Sequence, residues 1–143
     1  MLASLTSFAQ DYFQQQANFT ITATLDDEKH QLHGHWSMDY HNNSPDTLTY
    51  IYLHLWPNAY ATKTTAFAQQ KLRNDDTEFY FADESELGFI DSLNFTTGAE
   101  TLAVEATDLG PDVIILRLNE PLLPGHKTNI QSPFRLQFPA SFS

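Results

Sequence analysis

The chain has 143 residues and a mass of 16.3 kDa, enough for one hydrophobic core. Lysine and arginine number 7 against 18 aspartates and glutamates, which gives a formal net charge of −11. A chain this acidic repels phosphate backbones and anionic lipid, so we expect no nucleic-acid partner and no membrane insertion. Cysteine is absent, which excludes disulfides, a thiol nucleophile and cysteine-ligated zinc or iron–sulfur sites.

The two ends of the chain differ from its body. Residues 1–9 are small or apolar, carry no charge and end in Ser-Phe-Ala, as before a signal-peptide cleavage site. We interpret 1–9 as a candidate signal-peptide remnant, which predicts export to the periplasm, cell surface or medium, although an ordinary N-terminal extension is the alternative. Residues 10–143 are predicted to form a single β domain. The apolar end, residues 138–143, suggests a piece of a longer chain.

Apolar and polar residues alternate through three long segments of the first half. Residues 19–25 alternate apolar side chains with threonines, which predicts a half-buried strand. Residues 32–40 place Trp36 and Met38 on one apolar face. Residues 48–56 carry bulky side chains on both faces, which predicts an interior strand covered on both sides.

One short helix and several shorter strands follow. Residues 64–73 combine good helix formers, a threonine cap and an Asn-Asp-Asp stop, which predicts the helix. The shorter strands are predicted at 78–81, 88–95, 101–106, 113–118, 128–130 and 134–138. Roughly eight to ten short strands predict an all-β fold, an antiparallel sandwich or large folded sheet.

Two groups of polar residues are candidate metal sites. His33 and His35 project from one strand face with Asp39 nearby, and two imidazoles in this arrangement could hold a divalent metal. The acidic run 83–86, with Asp91 behind it, could supply oxygen ligands to calcium. In both cases a solvated polar surface is the alternative. No HExxH, GxSxG, P-loop or GxGxxG motif is present, so the sequence offers none of these four signatures of catalysis or nucleotide binding.

Four residues of the third strand form a candidate docking or binding face. Tyr50, Tyr52, His54 and Trp56 alternate along it and point the same way. Such a face could stack against a sugar or contact a protein partner, or it could pack against a neighbouring layer.

Several segments in order resemble the N-terminal domain of the M1 family of zinc metallopeptidases, in its exported bacterial branch. They are residues 12–21 (YFQQQANFTI), 40–49 (YHNNSPDTLT), 52–60 (YLHLWPNAY) and 118–125 (LNEPLLPG). The resemblance spans about residues 11–143, and each segment alone is a structural turn or strand. It implies a saddle-like, mostly antiparallel β domain that packs on a catalytic domain and walls its peptide-binding cleft.

The resemblance carries no catalytic or metal residue into this chain. It implies a longer parent, a zinc-dependent aminopeptidase, with a separate catalytic domain that holds the zinc. The present chain would contact peptide substrate only through that catalytic domain. An exposed apolar patch is expected within 50–56 or 134–142, where the catalytic domain would dock. The alternative is a standalone β-sandwich module that binds a glycan or a protein partner through the aromatic face.

Overall fold

The computed structural model describes residues 13–140. The candidate signal-peptide remnant, 1–9, and the end of the expected apolar patch at Phe142 lie outside the described residues.

The described residues form strands that all pair antiparallel, which confirms the predicted all-β fold. The strands are β1 (Gln16–Asp26), β2 (Gln31–His41), β3 (Leu48–His54), β4 (Phe89–Asp91), β5 (Thr96–Thr97), β6 (Glu100–Thr101), β7 (Ala103–Ala106), β8 (Val113–Leu122) and β9 (Lys127–Gln137). The α-helices are α1 (Ala66–Arg73) and α2 (Glu78–Phe81), and 3-10 helices cover Trp56–Tyr60 and Glu84–Glu86. Among these residues no helix is long and apolar enough to cross a membrane.

Two sheets pack face to face around one core. The larger sheet has the strand order β1-β2-β9-β5-β6, with β4 also paired to β9, and the smaller sheet has the order β3-β8-β7. Because successive side chains of a strand point to opposite faces, the alternating apolar residues of β2, β8 and β9 give each sheet one apolar face, and these faces point inward. Their buried side chains meet in a cluster of Trp36, Met38, Ile51, Phe95, Leu102, Leu116, Ile130 and Phe134.

A glycine lets the ring of Phe134 pack closely against β2. A Cβ at Gly34 would come within 2.3 Å of the Thr22 carbonyl oxygen and 2.8 Å of the Phe134 ring. Because both contacts are shorter than van der Waals separation, only glycine fits here without displacing a neighbour.

The region between β3 and β4 contains the predicted helix and one correction. Thr65 caps α1 by accepting a hydrogen bond from the backbone N–H of Ala68 at 3.2 Å, which confirms the threonine cap. The prediction of a strand at 78–81 is wrong, since these residues form α2. Tertiary packing overrides the local alternation there, because the turn buries Phe79 against the rings of Tyr60 and Phe67 at 6.0 and 5.5 Å.

Two strands lie at sheet edges instead of in covered positions. β1 is not half-buried, because the three-stranded smaller sheet does not extend over it and its side chains are exposed. β3 is not an interior strand covered on both sides, because it forms one edge of the smaller sheet and its outer face is open. The two strands predicted within 128–138 are one strand, β9, which continues through Pro133.

Candidate binding face on the smaller sheet

The outer face of the smaller sheet carries the four aromatic residues of the sequence prediction. Tyr50, Tyr52 and His54 alternate along β3 and point away from the core that Ile51 enters. Trp56 continues the row at the start of the following 3-10 helix. The exposed fractions of Tyr50, Tyr52 and Trp56 are 41%, 56% and 70%, so the rings are open to a partner.

The part of this face around Tyr50 and Tyr52 is a cluster of aromatic and charged side chains. Tyr50 and Tyr52 meet edge to face, with ring centroids 5.6 Å apart and planes at 89°. Arg117, the register partner of Tyr50 on β8, holds its guanidinium 5.1 Å from the Tyr50 ring. The Arg117 guanidinium also donates two hydrogen bonds to Glu105 of β7, at 2.7 and 3.0 Å. These bonds lower the pKa of Glu105 and raise that of Arg117, so both groups stay charged near neutral pH.

At the other end of this face, His54 and Trp56 form a stacked pair, and a hydrogen bond to the Asp112 carboxylate holds the histidine in place. The rings of His54 and Trp56 lie 3.9 Å apart at an interplanar angle of 29°. The His54 Nε2–H donates to the Asp112 carboxylate across 2.9 Å, which fixes the orientation of the imidazole. The histidine in turn supports one face of the indole, and most of the Trp56 side chain remains exposed.

An apolar groove is lined by Trp56 together with residues of the following 3-10 helix, of α1 and of the end of β9. Its volume is about 680 Å³, and Asp112 is the ionisable carboxylate that lines it. Its walls include Tyr60, Phe67 and Phe138. The groove therefore extends the aromatic face as an apolar channel with one acidic side chain at its rim.

The two candidate metal sites have other contacts in the structure. The His33 Nε2 lies 3.1 Å from the Gln31 Oε1, and β9 places Arg135 beside His33 on the same face. Arg135 also forms a bidentate ion pair with Asp91, which draws that carboxylate away from the acidic run. Within residues 13–140 no group of three or more potential ligands is assembled.

The carboxylates of the acidic run fold into a local turn. The backbone N–H of Asp83 donates to the Glu86 carboxylate at 2.7 Å, at the start of the 3-10 helix Glu84–Glu86. One of the candidate calcium ligands is therefore used in capping this short helix.

Sequence reasoning missed the polar partners of the aromatic face. Arg117 and Asp112 are far in sequence from the rings that they contact, Tyr50 and His54, and Glu105 lies on a third strand, β7. In the sequence, Asp112 is simply a turn residue after Gly110 and Pro111. The signal that could have found them is strand register, because Arg117 lies opposite both Tyr50 and Ala103.

No protein-family model matches the chain, and no curated protein matches it at a significant level.

Proposed function

We propose that this chain is a noncatalytic β domain that docks on a partner domain through the aromatic face. The observation that carries the proposal is an exposed row flanked by Arg117, with Tyr50, Tyr52 and His54 on β3 and Trp56 at the start of the next 3-10 helix. Tyrosine, tryptophan and arginine are the residues most enriched at the energetic centres of protein–protein interfaces. On a chain of net charge −11, a surface this aromatic favours contact with another protein surface.

The ring geometry favours a protein partner over a glycan. A linear sugar stacks best on flat rings that are open and roughly parallel, whereas Tyr50 and Tyr52 stand at 89° to each other. The Arg117 guanidinium further covers the Tyr50 ring. An uneven surface of this kind suits interdigitating side chains.

We propose further that the partner is the catalytic domain of a longer parent, an exported M1-like zinc aminopeptidase. The ordered sequence resemblance supports this assignment, and the domain would then act as scaffold and cleft wall while the parent's zinc and catalytic groups lie elsewhere. The alternative is a standalone module for a protein partner or a glycan. The groove beside Trp56 is the observation that favours that alternative, because it could accept a small ligand.

The mass of the native gene product separates the two candidates. We expect a product much heavier than 16.3 kDa that yields an HExxH-containing peptide and contains zinc. The isolated chain should show no aminopeptidase activity and bind no stoichiometric zinc. A native product at or below 16.3 kDa, or peptidase activity in the pure chain, would overturn the peptidase assignment and leave the binding module.

The variant Trp56→Ala tests the aromatic face itself. Because 70% of Trp56 is exposed, the variant should keep the circular dichroism spectrum and cooperative melting of the parent. Its affinity for a separately produced catalytic domain should fall at least tenfold, as at an interface centre. Phe81→Ala is the matched control, since Phe81 is an aromatic residue of similar exposure, 74%, on α2. If Trp56→Ala unfolds the chain, Trp56 is a core residue and the docking proposal fails.

A further inference from the structure

In the part of the chain that the structure describes, the outer edge of β1 is open and lacks the features that usually protect a sheet edge. Within residues 13–140 no strand pairs with it on the side away from β2. Its 11 residues run in one unbroken register, without a bulge or a proline. No residue from Phe13 to Leu25 is charged. Natural sheets blunt such edges with charges, prolines or bulges, and an edge that lacks them is a template for another strand.

One face of the same strand is apolar and exposed. Phe19, Ile21 and Leu25 retain 52%, 62% and 60% of their accessible surface. They lie on the core side of the larger sheet, beside Met38, Trp36 and Leu32 of β2, but beyond the cover of the smaller sheet. The strand thus offers free backbone groups and an apolar side-chain row together.

The sequence of β1 is complementary to itself in antiparallel orientation. When two copies are centred on Ile21, each apolar residue faces an apolar one and each polar residue faces a polar one, and the apolar pairs on either side of Ile21 set a large residue against alanine. The apolar pairs are Ile21 with Ile21, Phe19 with Ala23 and Ala17 with Leu25, and the polar pairs are Thr20 with Thr22 and Asn18 with Thr24. Cross-strand pairs of these kinds are favourable, whereas a shift by one residue would oppose apolar to polar throughout.

We propose that β1 pairs with β1 of a second copy of this chain, antiparallel and centred on Ile21. The pairing joins two larger sheets into one continuous sheet across a twofold axis. The chain's charge favours this edge for self-contact, because the charged residue of β1, Asp26, lies opposite the neutral Gln16 of the other copy. No like charges therefore meet along the paired strands.

The size of the contact predicts a weak dimer. The exposed parts of Phe19, Ile21 and Leu25 amount to roughly 350 Å² per copy at about 200 Å² for each whole residue. Lateral pairing covers only part of this area, together with the backbone edge. The total stays at or below the roughly 1,200 Å² of small stable interfaces, so we expect a dissociation constant in the micromolar range.

Single cysteines test the register, because the chain contains no native cysteine. Ile21→Cys would place two thiols directly opposite each other, at a Cα separation of about 4.5–5.5 Å that a disulfide accepts. Leu25→Cys is the matched control. It is equally exposed, but it faces Ala17, so the two thiols lie about 26 Å apart along the strands. With oxidised glutathione, Ile21→Cys should form covalent dimers at least tenfold faster than Leu25→Cys.

Sedimentation equilibrium tests the association without cross-linking. The parent chain should pass from monomer to dimer between about 1 µM and 1 mM, and Ile21→Lys should weaken that association at least tenfold. Phe81→Lys, which introduces the same charge at an exposed site on α2, should leave the association unaltered. A chain that stays monomeric throughout, or equal cross-linking by both cysteine variants, would overturn the proposal. Trp56→Ala should not affect the dimer, so this proposal and the proposed function fail independently.

Discussion

Replacing Asn42 with alanine should destabilise the fold by about 3–5 kcal/mol, because its fully buried side chain joins three segments of the chain. The Nδ2 group donates to the carbonyl oxygens of Asp46 and Leu122, at 2.8 and 3.0 Å. The Oδ1 atom accepts from the backbone N–H and the hydroxyl of Ser44, at 3.0 and 2.6 Å, and from Gln15 at 3.2 Å. The amide thus fastens the β2–β3 loop to the end of β8 and to the residues before β1.

The magnitude follows from the groups that alanine would leave behind. A hydrogen bond contributes about 1 kcal/mol net, and a buried polar group without a partner costs about 1–3 kcal/mol. The Ser44 hydroxyl keeps a second contact with the Asp46 carbonyl at 3.1 Å, and Gln15 can turn to solvent. The Leu122 carbonyl and the Ser44 N–H would lose their hydrogen bonds to the Asn42 amide, and leaving these two groups buried without a partner accounts for most of the expected loss of about 3–5 kcal/mol.

Urea unfolding of the parent and of two variants measures this effect. Asn42→Asp keeps the shape and the acceptor but directs a carboxylate at two carbonyl oxygens, which should raise the pKa of the new carboxyl in the fold. A raised folded pKa means that the defect is largest at neutral pH and shrinks as the pH falls and the group is protonated. If Asn42→Ala lowers the free energy of unfolding by less than about 1 kcal/mol, the network does not hold the loop in place. The same conclusion follows if the loss of stability in Asn42→Asp becomes larger as the pH falls.

Two further variants probe the larger sheet. Hydrogen bonds from Arg135 hold the pKa of Asp91 below its usual range, so the pair stabilises the fold above about pH 4 and that contribution is lost as the pH falls through the lowered value. Asp91→Asn should therefore melt at a lower temperature than the parent at pH 7 and converge with it in acid; a constant difference would contradict the assignment. Gly34→Ala should lower the free energy of unfolding in urea by about 1–3 kcal/mol, because the new methyl meets the Thr22 carbonyl oxygen and the Phe134 ring. Gly98→Ala, where nothing lies within 4 Å, should show only the strain of its positive φ, and equal losses in the two variants would refute the close contact.

The long elements were predictable because their residues repeat one physical pattern. The alternation in β2 predicts the buried positions of Trp36 and Met38, and both are in the core. The threonine cap and the Asn-Asp-Asp stop predict α1 to within two residues at its start. In these segments the local preference and the tertiary structure agree, so a single sequence is enough.

The errors arose where burial depends on the width of the opposing sheet. Alternation reports which side chains share a face, but not whether another layer covers that face. β1 was expected to be half-buried and is exposed, because the opposing sheet has three strands in the described residues and stops short of it. The structure places Tyr50, Tyr52 and His54 on one face of β3. The contacts that Arg117, Glu105 and Asp112 make there depend on pairing between distant strands, which composition cannot supply.

The distribution of charge connects the two surfaces for which we propose partners. With 18 acidic and 7 basic residues, most contacts between two copies of this chain would bring carboxylates together. β1 avoids this because it is uncharged from Gln16 to Leu25, and the aromatic face avoids it because Arg117 neutralises Glu105. The two surfaces differ in what they offer, since β1 presents free backbone groups to a like strand and the aromatic face presents projecting rings. A strand edge and a surface of projecting rings recognise different partners, so the proposed pairing through β1 and the proposed docking through the aromatic face would use separate surfaces.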